Sequence, residues 1–457
     1  MISPQELIED SLEKIEGLNE VFHAYLTINP RAVDQAQQCE DELKSGQWRG
    51  PLHGIPISIK DLIQTADLPT TAGSKVVSAR ISYRKDATLI KNLREAGAII
   101  LGKTNLHEFA YGVTTENSHF GTAINPWDNR VVAGGSSGGS AVSAATGMCQ
   151  GSVGTDTRGS IRIPAAACGV TGFKPTVDKV PMSGIIPLSP SLDHAGPIAR
   201  SVEMAALLVS CMAQDESLDP YRFPYEPPPS SFQMGVSTYH MDKIDPEINQ
   251  SIWEAIDIFQ QAGISIKPVS IDGIEDALHA STVITSVEAL RFHRPLMEKQ
   301  PEAYGPKVLE RLEAGKQYSA ADLAAAQRTQ KRITSSFTKA FQEVNCLIGA
   351  TLPCLPPRLG TDSLQITSRA ESVVDAFTRL NAPQNLSGIP ALALPCGFSK
   401  TGLPLSMQII GSSGHDRLVL QVGHFYQNLT DWHRKKPSLS EHFSEGYSCL
   451  TSSNPQR

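Results

Sequence analysis

The sequence predicts an α/β protein, on three observations. Its 457 residues are 40% hydrophobic and 19% charged, enough apolar material for one large core or for roughly two to three domains of an ordinary soluble chain. Short β-branched runs bounded by Gly and Pro alternate with amphipathic helical stretches. No self-similar repeat of solenoid length breaks that alternation.

The elements follow in order. Ser3 to Ile15 reads as a helix, with Leu7, Ile8, Leu12 and Ile15 spaced for one buried stripe. "IPISIKDLI" and "AGAIILGKT" read as strands separated by the helix-like "DATLIKNLREA", a β-α-β rhythm. Further on, "FQMGVSTY", "ISIKPVSI", "NCLIGATL" and "PALALPCGF" read as strands, and Pro246 to Ala262 and Ala320 to Val344 as helices. "FSKTGLP" has the composition of a hairpin turn ahead of "LSMQIIG". The Pro-rich stretch 219–231 is expected to be an exposed connection, with a more variable half after it at about 232–434. The polar segment 435–457 is expected to be a poorly ordered tail.

Composition also limits the partners. A net charge of -7, with Lys and Arg scattered along the chain, gives no broad electrostatic reason to bind nucleic acid. The eight cysteines contain no C-x-x-C pair, which suits isolated thiols in a reducing compartment and predicts no disulfides. The N-terminus is acidic and amphipathic, and no run reaches the ~18 apolar residues of a membrane span, so the cytoplasm is expected and a membrane is not.

Two Gly/Ser clusters carry the candidate chemistry: "AGGSSGGSA" at 133–141 and "GSVGTDTRGSIRIPAA" at 151–166. The first could cradle a phosphate, but it lacks the G-K-[ST] ending that supplies a phosphate lysine and a magnesium hydroxyl. Gly134, Ser136 and Gly138 also fit a nucleophile elbow, which needs a strand leading into it and an acid and a histidine downstream. "NPWDNRVVA" before it is turn-like, and His194 after Asp193 could serve as the imidazole but is better read as a loop residue with a local hydrogen bond. None of the twelve histidines forms an H-x₃-H or H-E-x-x-H pair, and His107 beside Glu108 lacks a second nearby ligand, so no catalytic metal is expected. A serine nucleophile without histidine needs another base. Lys60 ends the apolar run "GIPISIK", where a strand would carry its ammonium into the interior and desolvation would lower its pKa toward a usable base.

Taken together, "GIPISIKDLI", "AGGSSGGSA" and "GTDTRGSIRIPAAACGVTGFKPT" resemble the amidase signature family of serine hydrolases. The resemblance runs nearly end to end, through "AGAIILGKTNLHEFAYGVTTENSHFGTAINPWD", "SLDHAGPIARSV" and "NLSGIPALALPCGFSKTGLPLSMQIIG". It implies one compact amidase domain over 1–457, with a signature core at about 50–215 and a large twisted mixed sheet covered by helices on both sides. It implies a Ser–cisSer–Lys triad of nucleophile Ser160, bridging Ser136 after a cis Gly135–Ser136 peptide, and base Lys60. Ser137 would help hold the lysine and the cis turn. Backbone amides of Thr157, Arg158, Gly159 and Ser160 would form the oxyanion hole, and Asp156 with Arg162 a supporting ion pair. The substrate implied is a small amide, met by the second half of the chain with Tyr111 and Arg158 as candidate contacts; no cofactor enters, and a homodimer is compatible.

Two points stay open at this level. A related class, the amidase subunit of glutamine-dependent tRNA amidotransferases, carries an acidic residue after its "IIG" to hold the glutamine amino group. Here His415 takes that position and Asp416 follows it. Arg158 stands where the family usually has glycine, so its side chain either turns away to pair with a carboxylate or reaches over the pocket toward a polar substrate end. The second is preferred, because a long cation is a costly occupant of a tight turn without a partner.

Overall fold

A strand covered on both faces has no solvated side and so need not alternate apolar with polar residues, and the central strands of this protein are buried along their whole length. The computed structural model describes residues 2–76, 85–367 and 369–439. Its strands are β1 (Tyr25–Ile28), β2 (Pro56–Lys60), β3 (Ile99–Thr104), β4 (Gly151–Asp156), β5 (Thr171–Lys174), β6 (His194–Ala199), β7 (Gln233–Ser237), β8 (Ser265–Val269), β9 (Cys346–Ala350), β10 (Ser363–Ile366), β11 (Arg369–Ser372), β12 (Ala391–Phe398) and β13 (Pro404–Gly411). Among the described residues, 11 of them form one mixed sheet in the order β1-β3-β2-β4-β6-β5-β12-β13-β9-β7-β8, and β10 pairs with β11 apart from it. β2 runs parallel to both β3 and β4, whereas β4 to β13 meet through antiparallel pairs.

Helices cover both faces. Ile57, Ile59 and Ile100 join a core with the helices at 88–95, 202–213, 246–261 and 416–429. The alternate residues Ile99 and Leu101 point the other way, into a core with Pro4–Phe22, Ala32–Lys44 and Gly138–Thr146. This is the α/β class the sequence predicts.

The expected strands and the hairpin are found, the latter turning at Gly402 with φ +83°. The first helix runs past Ile15 to Phe22, where His23 adopts the left-handed conformation and ends it. Its buried stripe is Ile8, Ser11, Ile15, Leu18 and Phe22, with Leu7 and Leu12 only half-buried beside it. Residues 221–231 are mostly exposed, yet the sheet continues across them, because β7 pairs with β9 and β9 with β13. Of the expected polar tail, 440–457 lie outside the described residues.

Candidate active site

Lys60 is the last residue of β2, and all five residues of that strand are buried. Its Nζ donates to Ser136 Oγ at 2.7 Å and to Thr155 Oγ1 at 2.8 Å. Among the described residues it forms no ion pair. Burial pulls the ammonium down to about 7, although Asp156 and Asp193 act in the opposite direction. A lysine with that value is substantially neutral near neutral pH and can accept a proton.

Ser136 follows a cis Gly135–Ser136 peptide, the geometry the resemblance leads one to expect there. The segment ahead of it holds only isolated bridges, Ile124 with Val132 and Val131 with Arg358, so no strand delivers an elbow. Ser136 is 0% exposed, whereas Ser160 is 6% exposed and lines a narrow niche. A nucleophile must reach substrate, which favours Ser160 for that part. His194 hydrogen-bonds the Leu192 carbonyl at 2.8 Å, the local bond expected of it, but it opens β6 and is not a loop residue. Nor is the Gly-rich loop a phosphate cradle. Its amides are already engaged: Ser137 donates to the Ser160 carbonyl, Gly138 to Thr115 Oγ1 and Gly139 to the Asn105 carbonyl.

Ser137 differs from expectation in how it acts. Its Oγ donates to the Thr155 carbonyl at 3.2 Å and accepts the Thr155 amide at 3.4 Å, so it fixes the residue that holds Lys60 and does not itself bond the lysine. Sequence reasoning misses Thr155. Its part depends on β4 lying beside β2, which only the folded sheet shows.

The second loop is organised by Asp156. Arg162 donates to it from Nε and Nη2 at 3.0 and 3.1 Å, and the pair is fully buried. The remaining donors of Arg162 reach Gln384, Asn385, Gln408 and the Asn381 carbonyl, tying the loop to the second half of the chain. Arg162, Lys174 and Asn385 together hold the Asp156 carboxyl far below the usual range despite its burial. Asp156 Oδ1 also accepts the Gly159 amide at 2.6 Å, so that N–H is already engaged within the loop. Among the described residues, the amides of Thr157, Arg158 and Ser160 take no part in the loop's own hydrogen bonds. Gly159 sits at φ +115°, a conformation that favours glycine.

The niche at Ser160 is also lined by Tyr111, Thr157, Arg158, Leu188 and Arg311. It shares Val113, Arg311 and Val374 with a wider cavity of about 470 Å³. Tyr111 thus stands where a substrate contact was expected, with its Oη 3.3 Å from Ser286 Oγ. Arg158 turns toward the niche and donates to Thr282 Oγ1 at 2.7 Å; among the described residues it pairs with no carboxylate. Arg311 escapes a sequence reading because it sits in an amphipathic helix, Pro306–Ala314, where a charge reads as solvated. Asp416 is buried and accepts from the Thr176 amide and hydroxyl, and neither it nor His415 lines the niche or the wider cavity.

Metal-binding residue types gather at Cys39, Glu42 and His53 among the described residues. Glu42 is held by Arg49, and the His53 ring nitrogens meet the Arg49 amide and the Cys39 carbonyl, so their lone pairs and protons are committed locally. No helix among the described residues is long and apolar enough to cross a membrane.

The amidase family profile matches residues 6–420. The chain is 36% identical to a glutamyl-tRNA(Gln) amidotransferase subunit of Hahella chejuensis, covering 96% of each protein. It is 35% identical to an amidase of Pseudomonas putida, over 96% of this chain and 95% of that one. A solved crystal structure of an amidase superposes with a TM-score of 0.87 at 34% identity, covering 93% of this chain and 96% of the other.

Proposed function

This chain belongs to the amidase family, and from that premise we propose that it hydrolyses the C–N bond of a small amide through an acyl-enzyme on Ser160. Neutral Lys60 takes the proton of Ser136 as Ser136 takes that of Ser160. The Ser160 oxygen then attacks the carbonyl carbon. The amides of Thr157, Arg158 and Ser160 receive the oxyanion. Its collapse breaks the C–N bond, and the proton returns through Ser136 to the departing nitrogen, which leaves as ammonia or amine. Water attacks the acyl ester by the same relay, freeing Ser160 and a carboxylic acid. No step calls for a cofactor or a metal.

The observation that carries this reading is the Lys60–Ser136 hydrogen bond of 2.7 Å in a dry setting that brings the lysine to about 7. The seven described cysteines are free, which supports a cytoplasmic setting as part of the same reading.

A second reading, the amidase component of a tRNA amidotransferase, is favoured by the chain's likeness to such subunits. Against it stands Asp416, whose carboxylate is occupied by Thr176 and which does not line the niche. A panel of small amides assayed with and without glutamine, read by ammonia and acid release, separates the two. Release from simple amides by the chain alone is expected. Glutaminase activity only, dependent on a co-purifying subunit, would replace the hydrolase by the transferase.

A further inference from the structure

Two guanidinium groups face the niche beside Ser160 on neutral partners alone. Arg158 donates to Thr282 Oγ1, whose own proton goes to the Leu278 carbonyl. Arg311 donates to the Tyr111 carbonyl at 2.6 Å and to His107 Nε2 at 3.2 Å. Among the described residues neither forms an ion pair, and no carboxylate lines the niche. The acids of the adjoining cavity are committed elsewhere: Glu108 to Ser74 and the Gly305 amide, Glu116 to the Gly360 amide, Asp362 to Lys307. Asp375 and Glu310 act on the two arginines only from exposed positions.

Burial holds both guanidinium groups below their ordinary value, and Arg158 adds its repulsion to Arg311. Partly buried like charges side by side are unfavourable unless an anion completes them. A purely structural arginine in this protein looks different: Arg162, four positions along, has its carboxylate and every neighbouring acceptor.

We propose that Arg158 and Arg311 form an anion subsite beside Ser160, so that the amide cleaved carries a carboxylate a few bonds from its scissile carbonyl. The proposal rests on the hydrolase reading above. Both guanidinium groups can offer parallel N–H donors to a carboxylate. The narrow niche keeps the anion close to the nucleophile, and any larger part of the substrate extends past Arg311 into the wider cavity. An ammonium group near the same carbonyl finds no carboxylate there and meets two cations instead.

The test uses full-length Ser160→Ala protein, which cannot acylate, and calorimetric titration with four amides: succinamate, glutaramate, glutamine and pentanamide. At least one of the two half-amides should bind at least about tenfold more tightly than pentanamide, and glutaramate more tightly than glutamine, which differs by its amino group. Adding Arg158→Met or, separately, Arg311→Met should weaken the half-amide about ten- to a hundredfold. Half-amide binding no tighter than pentanamide, or indifferent to both arginine variants, would overturn the subsite. The hydrolase reading is judged apart, in the wild type. Cleavage of pentanamide without half-amide preference leaves that chemistry standing and removes the subsite, whereas half-amide binding without any hydrolysis does the reverse.

Discussion

Lys60 ends β2 and Lys103 lies one residue before the end of the parallel β3, with Ile59 in register with Lys103 and Lys60 with Thr104, and both side chains are completely buried. Their surroundings differ by one carboxylate. Lys103 Nζ lies 2.9 Å from Asp61 Oδ1 and donates to Thr70 Oγ1 at 2.7 Å, a lysine held by an ion pair. Lys60 meets two hydroxyls, and the acids that act on it, Asp156 and Asp193, are themselves bound to Arg162 and to Thr157 with loop amides. The same residue type, at the same depth, is thus held as an ammonium where an acid is supplied and left available for the proposed base role where the acid is withheld.

The largest expected effect comes from removing the unpaired lysine. Lys60→Met should lower kcat/KM by about two to four orders of magnitude while leaving the melting temperature unchanged or raised, since no carboxylate is stranded. In the wild type, Lys60 is protonated below about 7 and cannot accept the serine proton, so kcat/KM should rise with pH through about 7 and level off above it. The variant should lose that rise. A variant that keeps both rate and profile would take the lysine out of the chemistry.

A smaller effect, of the opposite kind, is expected at the paired lysine. Lys103→Met leaves Asp61 buried without its cation and should cost about 3–5 kcal/mol of stability, read as a lower denaturation midpoint. If Lys103→Met folds with wild-type stability, or abolishes activity in a protein of unchanged stability, the distinction between the two lysines fails.

How much of this could be read from the sequence follows the residue types. β2, β3, β7, β8, β9, β12 and β13 were legible because β-branched and apolar runs between Gly and Pro mark strands. β4, β5 and β6 were not, since "GSVGTD", "TGFK" and "HAGPIA" are rich in Gly, Ser, Thr and Ala and read as loop until the sheet closes around them. Positions Lys60, Ser136 and Ser160 were legible through motif resemblance, whereas periodicity placed only Lys60, at a strand end. Thr155 and Arg311 were out of reach, because their parts depend on which strand and helix lie beside them in space. The engaged amide of Gly159 was equally hidden: only the folded loop shows that Asp156 takes it first.

Treating the full-length protein with a fluorophosphonate and locating the adduct by peptide mass spectrometry shows whether Ser160 or Ser136 is the acylated residue. The adduct is expected on Ser160, which lines the niche, and is expected to be lost in Lys60→Met. An adduct on Ser136, the completely buried serine, would contradict that assignment.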